Sequence, residues 1–220
     1  MMRSTGSLFL AIAACFADAG CIATKPVHYY TLGPGAPATT ESKPGGLILL
    51  VGNISTPEAL QDGRIRYRTG PNEVGAYEYH RWMEQPGTMV RNALIRALRN
   101  SGQYQRVLES GSSVSGDYLL RGNIEEFDEV DGASIRTKIS LHVELVELKT
   151  NRNVWDQVLE REEPVNGKTV VEVVQSLDRN LQHVVSDTTS EVDRFLTSRV
   201  DDATKKKSQC KLLHGATRRG

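Results

Sequence analysis

The chain has 220 residues, 39% of them hydrophobic and 25% charged, enough apolar material for one ordinary globular domain with a real core. Lys plus Arg and Asp plus Glu both number 27, so the formal charge is zero and the basic excess typical of nucleic-acid-binding domains is missing. Residues 21–200 hold 20 basic against 24 acidic side chains. These figures exclude a disordered chain, a fibre and a multi-span membrane protein.

The N-terminal segment reads as a targeting signal. Arg3 supplies a positive start, and Ser7 to Ala17 is an apolar run of eleven that stops at Asp18, signal-peptide length and too short to span a bilayer. It closes on Ala19-Gly20-Cys21, which resembles a bacterial lipobox: small side chains fit the peptidase, and the thiol accepts a diacylglyceryl group. Asp18 stands where lipoboxes usually carry an aliphatic residue. Ile12-Ala13-Ala14-Cys15 meets that position but shortens the apolar run to seven, so Cys21 is the expected lipid-attachment residue and Cys15 the alternative. Ile22 rather than Asp follows Cys21, which points to the periplasmic face of the outer membrane. The third cysteine, Cys210, lies far away in a basic stretch, and the three make neither a disulfide framework nor a zinc motif.

After a short tether, Val27 to Leu32 is rich in aromatic and β-branched residues and reads as an edge strand. Residues 33–46 are crowded with Pro, Gly, Ser and Thr and form a loop. Leu47 to Val51 is uninterrupted and apolar, the pattern of a central strand covered on both faces. Arg64 to Arg68 alternates basic and apolar residues, and Glu73 to Tyr79 follows a turn, which together predict a hairpin. Pro86-Gly87 opens a helix with Met89, Val90, Ala93, Leu94, Ala97 and Leu98 at the 3.6-residue period and Arg91, Arg96 and Arg99 outward; Gly102 ends it. Tyr104–Leu108 and Tyr118–Ile124 are further strands. Ile135 to Leu145 alternates strictly and pairs with Val154 to Glu160, and Thr169 to Val200 is a long amphipathic helix.

The expected organisation is therefore a signal peptide (1–20), a lipidated N-terminus with the first strand and loop (21–45), an α/β domain (46–200, joined by strand 27–32) and a basic tail (201–220) read as disordered. The fold class is α/β in the α+β sense: a mixed, mainly antiparallel sheet packed with two long helices.

Catalytic chemistry finds no anchor. The five histidines, His28, His80, His142, His183 and His214, fall on different elements with no metal-ligand spacing, and no nucleophile elbow or phosphate-binding glycine loop occurs. The carboxylates of residues 125–131 lack the ligand spacing of a calcium loop and read as a solvated hairpin end. No catalytic residue, metal or cofactor is expected beyond the lipid on Cys21. The segment Tyr77-Glu78-Tyr79-His80-Arg81-Trp82, with Arg64, Arg66 and Arg68 close by, combines residue types favoured at interfaces.

Cys21, Tyr29-Tyr30-Thr31-Leu32, the stretch Val51 to Leu60 containing Ser55-Thr56-Pro57-Glu58, Arg64-Ile65-Arg66-Tyr67-Arg68, Tyr77 to Trp82, Pro86 and the helix Met89 to Arg99 ending in Ser101-Gly102 together resemble the ABC-type transport auxiliary lipoproteins. That family includes the PqiC-like subunits of MCE-type lipid transport systems. The resemblance implies a fold like the N-terminal domain of TolB and a palmitate-bearing lipoprotein without enzymatic activity, lipid-anchored in the outer membrane of a Gram-negative bacterium. It implies work with a periplasmic MCE-domain protein, an inner-membrane permease and an ATPase, and leaves homo-oligomers open. The expected partner-binding residues are Arg64, Arg66, Arg68, Tyr79, Arg81 and Trp82. The alternative is a lipoprotein adaptor for a cell-wall synthase or an outer-membrane assembly machine.

Overall fold

The computed structural model describes residues 25–33 and 46–216. The expectations for residues 1–24, Cys21 among them, and for the loop 34–45 lie outside the described residues. Eight strands and two long helices form a single mixed sheet backed by helices on one face: β1 (His28–Tyr30), β2 (Ile48–Ser55), β3 (Arg64–Gly70), β4 (Glu73–Trp82), α1 (Pro86–Asn100), β5 (Arg106–Glu109), β6 (Tyr118–Val130), β7 (Arg136–Glu147), β8 (Arg152–Pro164) and α2 (Val170–Ala216). This is the α+β class expected.

The spine is β6. Along one edge its first half pairs in parallel with β2 and its last three residues pair in parallel with β3; along the other edge it pairs antiparallel with β7 throughout. The sheet therefore forks. One branch runs β6-β2-β5, the other β6-β3-β4-β1, while β7 and β8 continue the opposite side. The three antiparallel pairings, β3–β4, β6–β7 and β7–β8, include the two longest ladders.

Helix α1 begins with Pro at its first turn, where the missing N–H costs nothing. It ends before Gly102, whose φ of 66° is the left-handed conformation that glycine adopts freely. Its apolar stripe, Met89, Val90, Ala93, Leu94 and Leu98, is buried as the period predicts, over β2 and β5. A capping box opens α2: the Glu172 carboxylate accepts from the Thr169 N–H at 2.8 Å, and the Glu172 N–H reaches Thr169 Oγ1 at 3.4 Å. Helix α2 lies over β7 and β8 and touches α1, burying Val173, Leu177, Leu181, Val184, Val185, Val192 and Leu196. Among the described residues no helix is long and apolar enough to cross a membrane.

Three expectations need correction. Residues 201–216 continue the helix, so the basic stretch is not a disordered tail through Ala216. Strand β6 does not stop at Ile124 but runs to Val130; the carboxylates of 125–131 are therefore mostly inside a strand, and Asp128 and Glu129 are buried. Acidic residues lowered the strand signal there, and cross-strand partners restore it. Strand β2 is buried on both faces, as expected: α1 covers one, and on the other Leu50, 8% exposed, lies against Gly116, where an added Cβ would come within 2.5 Å of the leucine. Tyr104 precedes β5 and is buried against α2, its hydroxyl donating to Asp193.

Candidate functional site

The branch β3-β4-β1 forms a wing, since the helices pack chiefly over β2, β5, β7 and β8. Sequence and register decide which side chains each face of the wing presents. In β3, alternation sends Ile65 and Tyr67 toward the helix side and Arg64, Arg66 and Arg68 to the open side. Strand β4 is bulged: between the pairs Arg64–Arg81 and Arg66–Ala76 two steps along β3 match five along β4. The bulge breaks alternation, so Tyr77 and His80 share one face although one is odd and the other even.

On the helix side the wing carries an aromatic and histidine cluster. The His28 and His80 rings stack with centroids 5.2 Å apart, cross-strand neighbours in the β1–β4 ladder. Tyr30 stacks on His80 at 5.7 Å with Tyr30 Oη and His80 Nδ1 2.8 Å apart. Tyr77 meets His80 edge-on at 5.7 Å and Tyr67 at 5.1 Å. Tyr67 has room because it crosses Gly75, where a Cβ would come within 2.3 Å of its ring. Tyr77 Oη donates to Glu129 at 2.8 Å. Burial pushes the Glu129 carboxyl above its usual value, against the pull of this hydrogen bond. Burial, with help from His28, lowers the His80 imidazole.

The open face is charged. Arg68 Nε donates to Asp128 at 2.6 Å and Lys138 bridges Glu126 at 2.8 Å and Glu160 at 3.1 Å, an ion ladder from β3 across β6 and β7 to β8. Burial raises the Asp128 carboxyl, with Arg68 opposing. Nearer the tip, Arg64 Nε donates to Asp62 at 2.7 Å and Arg81 Nη1 to the Asp62 carbonyl at 3.0 Å. Burial pushes the Asp62 carboxyl up, but the hydrogen bonds and charge of Arg64 outweigh it and hold it low. Arg66 donates to the Ala59 carbonyl. The Lys25 ammonium lies over the Tyr79 ring, 5.5 Å from its centroid.

Of the six residues expected on the partner surface, the open face gathers Arg64, Arg66, Arg68, Tyr79 and Arg81. Trp82 does not join them. It is 4% exposed and packs edge-on against Phe127 with centroids 5.6 Å apart, so it is core, on the side opposite the arginines. The residues that sequence reasoning missed are His28, Tyr30 and Tyr67, which enter a cluster only through the parallel β1–β4 pairing and the bulge. Among the described residues no group of three or more His, Cys, Asp or Glu side chains is placed to hold a metal ion. The arrangement suits recognition: flat rings, fixed guanidinium groups and a sheet edge.

Comparison with known proteins agrees with this architecture. A Xanthomonas campestris protein assigned to DUF330 matches with a TM-score of 0.67 at 18% identity, over 82% of this chain and 99% of its own. An uncharacterized protein of known structure matches with a TM-score of 0.61 at 15% identity, over 76% and 99%. At these identities the likeness is one of fold. No curated protein matches the sequence. The profile of the ABC-type transport auxiliary lipoprotein component matches residues 30–188, from the second tyrosine of β1 to the buried Thr188 of α2, so the chain belongs to the ABC-type transport auxiliary lipoprotein family.

Proposed function

We propose that this protein is an outer-membrane-anchored periplasmic lipoprotein, acylated on Cys21, that serves as a non-enzymatic auxiliary subunit of an MCE/ABC-type system moving lipid between membranes. Its partners are a periplasmic MCE-domain protein and, through it, an inner-membrane permease and ATPase. The observation that carries this reading is the family membership of residues 30–188. It is supported by a rigid sheet with an open, arginine-bearing face, which is what a docking subunit requires and what a lipid-modifying enzyme would not need.

Within that face, Arg64 and Arg66 on β3 form the docking surface. Arg68 is committed to Asp128, and Trp82 is core. The test is affinity purification of the tagged protein from mildly solubilised membranes of its own bacterium, with partners identified by mass spectrometry. An MCE-domain protein with its permease is expected. Recovery of a cell-wall synthase or an outer-membrane assembly factor instead would move the function to an adaptor role. Arg64→Gln with Arg66→Gln should cut partner recovery while lowering Tm by less than about 5 °C, because an exposed ion pair such as Arg64–Asp62 contributes little to stability.

A further inference from the structure

Residues bearing large apolar surface are concentrated on the wing. Of six large hydrophobics exposed among the described residues, Val27 (41%), Tyr29 (57%), Val74 (38%) and Met83 (65%) lie on or beside β1 and β4. The register Tyr29–Arg81 and His28–His80 sets Val27 beside Tyr79 and carries Met83 past the end of β4, bonded through its N–H to the Tyr30 carbonyl at 2.7 Å. Alternation then puts Val27, Tyr29, Tyr79, Arg81 and Met83 on one stripe, with Lys25 over Tyr79. Their opposite neighbours, His28, Tyr30, His80 and Trp82, face the helix side. The stripe is therefore amphipathic in a particular way: two tyrosines, a valine and a methionine, with a lysine and an arginine among them, and the Glu78 carboxylate at its margin within reach of the Tyr79 hydroxyl.

We infer that this stripe rests on the headgroup layer of the membrane and that its partner is anionic phospholipid. The inference builds on the proposed acylation of Cys21. Three residues separate Cys21 from Lys25, so the four steps between their Cα atoms reach at most about 14 Å in a fully extended chain, and the anchor holds the start of β1 at the bilayer surface. Tyrosine places its ring at the acyl boundary and its hydroxyl among headgroups. Lys25 and Arg81 meet lipid phosphates, and Val27 and Met83 bury their ends between headgroups. Tyr79 and Arg81 thus belong to the membrane edge of the wing, and Arg64 and Arg66 on the next strand are left facing the periplasm.

The test uses the full chain, purified with its anchor in a Cys210→Ser background and reconstituted in vesicles of phosphatidylethanolamine and phosphatidylglycerol. An environment-sensitive fluorophore is attached at Val27→Cys or Met83→Cys and, as a control on the far edge, at Val158→Cys, where the side chain is 54% exposed. A headgroup-proximal nitroxide lipid should quench positions 27 and 83 about twofold more than position 158, as expected for side chains held at the interface. Lys25→Glu with Arg81→Glu should abolish that difference. Equal quenching at all three positions, in protein whose intact mass shows acyl chains, overturns the inference and leaves the anchor standing. A mass without acyl chains overturns the anchor reading itself, and the inference with it.

Discussion

Glu129 is the side chain whose environment departs furthest from the expectation of a solvated hairpin end. It is 3% exposed, takes its one identified hydrogen bond from Tyr77, and has a carboxyl raised chiefly by burial. A native pKa above the unfolded value means that the folded state holds its proton longer. Stability from this group is thus complete below about pH 4.5, the unfolded value, and is lost as pH rises through the native one. Glu129→Gln removes the titration and keeps an acceptor for Tyr77; its Tm is expected to fall less than the parent's between pH 4.5 and 7, and parallel slopes would contradict the assignment. Trp82 gives the second residue-scale prediction. Trp82→Ala should cost about 3 kcal/mol, the usual range for an emptied aromatic core site, and lower Tm by about 10 °C, whereas Tyr79→Ala on the open face should be nearly neutral in thermal melts. The contrast matters because both residues lie in one aromatic run, and only the register says which of them faces the core.

At the scale of elements, two contacts hold the helices in place. Gly87, in the first turn of α1, donates its N–H to Thr56 Oγ1 at 3.0 Å, and a Cβ there would lie 2.1 Å from the Ile54 carbonyl oxygen. Backbone cannot yield as a flexible side chain can, so Gly87→Ala should push α1 off β2 and cost about 3 kcal/mol, read as a Tm loss together with weaker protection of the α1 amides from exchange. On α2, fully buried Asn180 donates to the Thr137 carbonyl at 3.0 Å and the Arg161 carbonyl at 3.1 Å, tying the helix to β7 and β8 at once. Beside it Thr137 and Ser176 hydroxyls lie 2.9 Å apart. Asn180→Ala strands these acceptors and should cost about 2–3 kcal/mol, measured by chemical denaturation. These elements also show what was legible beforehand. Regular periods read well: the helix stripes of Met89 to Leu98 and Val173 to Leu196, and the strict alternation from Thr137 to Leu145. The bulged strands did not, because β4 and β6 each insert residues that flip the facing of everything after them. Charged strand residues such as Glu126 and Asp128 look like loop until their partners Lys138 and Arg68 arrive from elsewhere in the chain.

For the whole molecule, β6 is the one element on which every layer depends. It carries the wing through β3, the helix-backed branch through β2 and the long antiparallel sheet through β7. The fork explains how a single sheet can be both core and platform. Where helices cover it, apolar side chains fill the space; where they do not, rings and guanidinium groups remain for recognition. The candidate surface was half visible in the sequence. The arginines of β3 and the Tyr77 to Trp82 run stood out by composition, while His28 and Tyr30 joined only because β1, some fifty residues upstream, pairs in parallel with β4, and Tyr67 because it crosses Gly75 of the bulged β4 to meet Tyr77.

That parallel pairing also has a mechanical meaning. A load directed along the axis of β1 would be met by the β1–β4 hydrogen bonds together, in shear, instead of opening them one after another like a zipper. The ring stack of His28, His80 and Tyr30 lies across the same joint, and just beyond it the Gly33 N–H is held by Asp178 of α2 at 3.0 Å. Tension arriving at the N-terminal end of the domain is thereby shared between the wing and the long helix.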